Sequence, residues 1–256
     1  HVFMGGVLPS GQLTSNQADL AFVPEGQNDD AHQIALAGDL DEDGKADILI
    51  GAPKNDQNGT NSGKSYLFFG DELPESGSVS LADSRYQFFG DGPEDRAGFV
   101  YDSGDMNRDG INDLLIGAPG YDDVYSNQGK LYVLVSDFLT PSDGNLDDIA
   151  TQAIMGSHEY ARFGRWAAYV GDVNRRGRSS ILVGDNSADT HREDAGKAHL
   201  VTLQSDPCMD CSESCEDLPE RKDDSIYMRS CPNRNAGTTA AFASRLSLMK
   251  PFLFCK

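Results

Sequence analysis

Residues 38–53 read GDLDEDGKADILIGAP. Asp39, Asp41, Asp43 and Asp47 stand at positions 1, 3, 5 and 9 of a loop whose sixth residue is Gly44, and an apolar run follows directly. Carboxylates this close repel one another. Their alternate spacing nevertheless converges on one point, the arrangement that wraps oxygens around Ca²⁺, with the Lys45 carbonyl as a main-chain ligand at position 7. A divalent cation turns the repulsion into a reason for the loop to fold. A solvated acidic turn is the other reading of such a stretch.

The rest of the chain repeats the pattern. Residues 104–119 read GDMNRDGINDLLIGAP, placing Asp105, Asn107, Asp109, Gly110, Ile111 and Asp113 in the same register. A third copy, GDVNRRGRSSILVG, spans 171–184. The opening glycines Gly38, Gly104 and Gly171 are 66 and 67 residues apart, as are Gly63, Gly129 and Gly196 of GKSYLFFG, GKLYVLVS and GKAHLVTL. Landmarks held in register across three copies define an internal repeat. An EF-hand is excluded, because it needs a bidentate Glu at position 12, where this chain has Ile50 and Ile116. The short Ile/Leu-rich runs closed by Gly-Ala-Pro read as buried strands, and QNGTNSG and DDVYSNQ as loops. Each repeat then yields about four short strands, the content of one propeller blade. No stretch has helical periodicity.

Phe163-Gly164 and the variant Gly98-Phe99 before the loops, and Gly51-Ala52-Pro53 and Gly117-Ala118-Pro119 after them, give the pattern a family resemblance. Over residues 1–204 the chain resembles the FG-GAP repeats of integrin α-subunit β-propellers and their bacterial relatives. The resemblance implies an all-β propeller of four-stranded blades, with calcium loops at 39–47 and 105–113 and a degenerate loop at 172–180. It also implies that these loops share one face of the disc, while protein or glycan ligands bind the opposite face. There the loop GYDDVYSNQ offers Tyr121, Asp122, Asp123 and Tyr125, aromatic rings and acids suited to stacking on a sugar. The other reading, and the commoner one for such rings, packs the same tyrosines against neighbouring strands.

The copies differ in charge. Five acids against Lys45 leave −4 in the first loop, three acids against Arg108 leave −2 in the second, and Asp172 against Arg175, Arg176 and Arg178 leaves +2 in the third. Fewer anionic ligands bind calcium more weakly, which ranks the first site above the second. Like-charge repulsion excludes a cation from the third, where only Asp172 and Asn174 remain as side-chain ligands. Arg176 is expected near the cation position, paired with Asp172.

The whole chain sets further bounds. Its 256 residues carry 21 basic and 41 acidic side chains, a net charge of −20, which argues against nucleic acid or an anionic membrane as partner. No apolar run approaches the roughly 18–20 residues of a membrane span, and the first residues lack the basic and apolar regions of a signal peptide. VFMGG at 2–6 aligns with the third strand of a blade, so the chain opens in mid-blade. Ring closure, at about seven blades in the family, then calls for upstream sequence or other chains. After residue 204 the repeat stops, and residues 205–256 form a separate segment with Cys208, Cys211, Cys215, Cys231 and Cys255, read as disulfide candidates in an extracellular protein. Zinc binding by these cysteines is the lesser alternative.

Asn58-Gly59-Thr60 is a glycosylation sequon or plain turn chemistry, and Trp166 is expected in the core on an inner strand. No nucleophile motif, P-loop, dinucleotide fingerprint or HExxH arrangement occurs. The sequence thus points to a non-enzymatic, calcium-binding extracellular adhesion or ligand-binding module. A lectin-like propeller, the non-catalytic part of a larger secreted enzyme, and a surface or filament subunit are the alternatives.

Overall fold

The computed structural model describes residue 2, residues 14–136, 143–186 and 196–203, and the backbone of 226–228. The strands are β1 (Leu20–Val23), β2 (Gln33–Gly38), β3 (Asp47–Ala52), β4 (Lys64–Phe68), β5 (Gly77–Ser80), β6 (Tyr86–Phe89), β7 (Phe99–Gly104), β8 (Asp113–Ala118), β9 (Lys130–Leu134), β10 (Gly144–Asn145), β11 (Gln152–Met155), β12 (Ala167–Gly171), β13 (Ser180–Asp185), β14 (Lys197–Thr202) and β15 (Ile226–Met228). The regular α-helix among the described residues is one turn, Leu146–Ile149. The fold is a β-propeller part, as the sequence predicts.

Two blades are complete. β2, β3, β4 and β6 pair antiparallel in that order, and β7, β8, β9 and β11 repeat the arrangement. The third blade shows β12, β13 and β14 among the described residues. β1 is the outer strand of a preceding blade, and Val2 bridges antiparallel to Leu20 as the third strand of that blade would. Successive blades are also stapled. β5 and β10 lie in the connections that lead to β6 and β11, and each adds in parallel to the outer strand of the blade before, β1 and β6 respectively. Residues 226–228 pair antiparallel with β11. The cysteines and the rest of 205–256 lie outside the described residues.

Strands β3 and β8 have no alternation of apolar and polar side chains because both of their faces are covered: all six residues of β8 are buried. Leu49 and Leu67 pack against Leu114, Ile116, Tyr132 and Leu134 between the first and second blades. Leu115, Leu131 and Val133 pack against Ile181 and Val183 between the second and third. Backbone meets backbone at the motif glycines. A Cβ on Gly51 would lie 1.8 Å from the Gly98 carbonyl oxygen, and one on Gly117 would lie 1.8 Å from that of Gly164. The Gly of Gly-Ala-Pro in one blade therefore abuts the glycine of the next blade's Gly98-Phe99 or Phe163-Gly164 pair.

Trp166 departs from expectation. It precedes β12 and is 63% exposed. It faces Gly184 as Gln33 and Phe99 face Gly51 and Gly117 in the earlier blades, and those two residues are only half-buried.

Candidate functional site

Each of the three inner strands ends in a register shift, at Leu36/Gly38, Tyr101/Gly104 and Tyr169/Gly171, and delivers the chain into its loop. The loops then share one backbone path. Position 4 is left-handed at Glu42, Arg108 and Arg175 (φ 60°, 71° and 54°), and position 6 at Gly44, Gly110 and Gly177 (φ 88°, 97° and 76°). Glycine at the sixth position makes that turn without a Cβ penalty.

The aspartate at position 1 organises each loop from within. Asp39, Asp105 and Asp172 each accept the position-5 backbone N–H on Oδ1 at 3.0, 3.1 and 3.0 Å. On Oδ2 each accepts the glycine N–H at 2.9, 3.0 and 2.7 Å. The position-3 side chains of Asp41, Asn107 and Asn174 accept the same position-5 N–H at 3.2, 3.0 and 3.0 Å. In the first loop one carboxylate oxygen each from Asp39, Asp41 and Asp43 lies within 4.8 Å of the others, a hard oxygen donor set that fits a divalent cation. Lys45 and Ile111 follow the glycines at position 7, where their carbonyls stand as main-chain candidates.

Asp47 and Asp113 are fully buried at the first residue of β3 and β8. Both oxygens of each are engaged by backbone amides. Leu40 and Gly70 donate to Asp47 at 2.8 and 2.9 Å. Met106, Asn107 and Ser136 donate to Asp113 at 2.7, 3.2 and 3.1 Å. Burial raises the Asp47 pKa above its ordinary value and pushes Asp113 up to about 6, against the lowering effect of those amides. These two residues tie the loop to the far end of the third strand, whatever further role they have toward an ion. Asn107 differs from Asp41 in donating as well, from its Nδ2 to Asp109 at 2.6 Å.

The third loop corrects one expectation. Arg176 reaches Asp172 through its backbone N–H, while the ion pair to Asp172 comes from the neighbouring loop, Arg108 at 3.4 Å. Ser180 replaces the buried carboxylate at position 9 and pairs with Thr202 at 3.3 Å.

At the other end of β8, about 17 Å away at 3.4 Å per residue, stands the 121–125 stretch. Tyr121 is half-buried against the core, with the Lys130 ammonium 4.1 Å from its ring centroid. Asp122, Asp123, Val124 and Tyr125 are exposed, and Asp122 accepts the Asn127 N–H. The tyrosine-acid patch therefore divides into one structural ring and an exposed strip. Sequence reasoning overlooked the lysines beside it. Lys64 is buried with Glu25 at 2.8 Å, and Lys130 is buried against Asp147 and the ring of Tyr132. The signal was present, since Gly-Lys recurs at 63–64, 129–130 and 196–197. Asn58 is engaged as well: its Nδ2 donates to the Gly90 carbonyl at 2.9 Å and to Asn145 at 2.6 Å, which favours turn chemistry over a glycan.

Comparison with known sequences agrees with the repeat geometry. The family model described as FG-GAP repeat matches residues 32–68 and 102–134, the segments holding the first and second loops and the strands around them. These two segments are FG-GAP repeats by that match. Among similar proteins, Integrin alpha-5 of Xenopus laevis is 27% identical over 147 residues, 57% of this chain and 13% of the relative. Integrin alpha pat-2 of Caenorhabditis briggsae is 28% identical over 207 residues, 72% of this chain and 15% of the relative. Phosphatidylinositol-glycan-specific phospholipase D of Rattus norvegicus is 38% identical over 95 residues, 36% of this chain and 11% of the relative. The chain thus spans between 11% and 15% of these relatives' lengths, and its similarity extends to integrin α chains and a phospholipase D alike.

Proposed function

We propose that this chain is a calcium-stabilised, extracellular adhesion or ligand-binding module, with Ca²⁺ in a structural role. The observation that carries the reading is the convergence of Asp39, Asp41 and Asp43 on one point in a loop whose backbone path is repeated in the second copy. Calcium held by these carboxylates, with Asp105, Asn107 and Asp109 in the second loop, offsets their repulsion and locks the entry to β3 and β8. The exposed strip at Asp122, Asp123 and Tyr125, at the far end of the blade from the loops, is the proposed contact for a protein or glycan ligand. Integrin relatives support this reading and the extracellular placement. Among the described residues no helix is long and apolar enough to cross a membrane.

The test is calcium titration by calorimetry, with thermal melts in calcium and in chelator. Two sites of unequal affinity are expected, the first loop tighter, with a gain on the order of 3 kcal/mol at calcium a hundredfold above Kd. A melt indifferent to chelator would sink the calcium reading. Similarity to the phospholipase D favours one second reading, in which the propeller is the non-catalytic part of a larger secreted enzyme. A catalytic domain encoded in the same gene would decide for it.

A further inference from the structure

The third blade departs from the other two at three positions that the fold brings together. His158 stands where the earlier repeats have Gly26 and Gly92, Asp185 where they have the buried Ala52 and Ala118, and His199 where they have Tyr66 and Tyr132. The first two blades also bury a carboxylate nearby, Asp29 and Asp95, each closed by a backbone N–H from Gly26 or Gly92 at 2.8 and 2.7 Å. The third blade has Ala161 there. Its acid has moved onto the last residue of β13 and is faced by two imidazoles.

The Asp185 side chain is 3% exposed. Its Oδ2 lies 2.9 Å from His158 Nε2 and 3.4 Å from His199 Nε2. Its Oδ1 is buried without a hydrogen-bond partner, and His199 Nε2 faces the carboxylate without the alignment of a hydrogen bond. A buried carboxylate oxygen and a buried ring nitrogen left unsatisfied are costly unless a ligand completes them.

We propose that His158, Asp185 and His199 form a transition-metal site, on the third blade and separate from the aspartate loops, that binds Zn²⁺. Two imidazoles and one carboxylate are the donors this ion takes, whereas Ca²⁺ prefers oxygen alone. Bonds of about 2.0–2.2 Å in a tetrahedral site place neighbouring donors roughly 3.3 Å apart, close to the observed 2.9 and 3.4 Å. Among the described residues only Asp39, Asp41 and Asp43 already bring three donors mutually within 4.8 Å, so the imidazoles must turn to close on the ion. They have room to do so, being 34% and 32% exposed at the side chain. Phe163 packs edge-on to the His199 ring at 5.8 Å and limits its tilt. A solvent molecule takes the fourth position.

The test is Zn²⁺ calorimetry on the full chain in saturating Ca²⁺, so that the aspartate loops do not compete, with free thiols alkylated. Co²⁺ absorption then reports the donor type. One equivalent of Zn²⁺, a tetrahedral nitrogen–oxygen Co²⁺ spectrum, and a loss of more than about tenfold in affinity in both His199→Tyr and Asp185→Ala are expected. Both substitutions install the residue of the second blade, Tyr132 or Ala118, and melts in Zn²⁺-free buffer check that each folds. If one variant unfolds, His158→Gln replaces it in the comparison. No binding, affinity undiminished in folded variants, or a sulfur-to-cobalt charge-transfer band overturns the proposal.

Discussion

Gly117 shows how much of this fold rests on single residues. Its missing Cβ is what lets the backbone of one blade lie against Gly164 of the next, and the obstacle a methyl would meet is a carbonyl oxygen at 1.8 Å, which cannot swing aside. Gly117→Ala is therefore expected to destabilise the chain by about 3 kcal/mol, read as a lower urea midpoint. Asp95 carries a different kind of strain. Burial pushes its pKa up from 3.8 to about 6, with Asp91 adding repulsion, while the Gly92 amide and Lys130 work the other way. Below pH 4 both the folded and unfolded chain hold this proton. Between pH 4 and 6 the folded chain binds it more tightly, so stability falls as pH rises, and above pH 6 the ionised carboxylate costs up to about 3 kcal/mol. Asp95→Asn is expected to raise the melting temperature at pH 7.5 and to leave it unchanged near pH 4. A gain of equal size at both values would refute the assignment.

At the scale of the element, the loop's backbone path is separable from its charge. The third loop turns through the same left-handed positions and the same Asp172 bonds as the first two, although its net charge is +2. Asx-type bonds from position 1 and glycine at position 6 suffice for the shape. Arg176→Asp with Ser180→Asp is thus expected to add a third calcium equivalent in calorimetry, weaker than the others because Arg108, Arg175 and Arg178 stay close. Unchanged stoichiometry would mean that cation binding needs more than carboxylates on this path. The strand that follows each loop was readable for the same reason. An apolar run between a glycine turn and Gly-Ala-Pro has few other ways to be buried. The stapling strands β5 and β10 were not, because two to four polar or small residues acquire strand geometry only from the partner they meet.

Across the whole molecule, one face of each blade is sealed by its successor. Leu49 and Leu115 are 0% exposed and Leu67 and Val133 are 0% and 2%, whereas their third-blade equivalents Leu182 and Leu200 are 41% and 52% exposed. Apolar side chains repeated at a packing position call for a further blade, from sequence of the same protein or from another chain. The chain as it stands is expected to self-associate with rising concentration in sedimentation runs, and Leu182→Lys with Leu200→Glu to suppress this without lowering the melting temperature. Concentration-independent monomers of the parent chain would show that the face is already covered.

The sequence by itself determined the repeat, its period, the strand and loop order within a blade, and the positions where acids and glycines recur. Those features are local: spacing, turn chemistry and apolar runs act within a dozen residues. Tertiary structure decided what depends on neighbours in space. It put Trp166 in solvent, half-buried Tyr121 beside Lys130, turned Asp47 and Asp113 into anchors for backbone amides, and gave Asp172 its ion pair from Arg108 in another repeat. It alone assembled His158, Asp185 and His199. They come from three segments up to 41 residues apart in the chain, and only blade packing, driven by burial of the apolar faces between sheets, brings such distant side chains to one point.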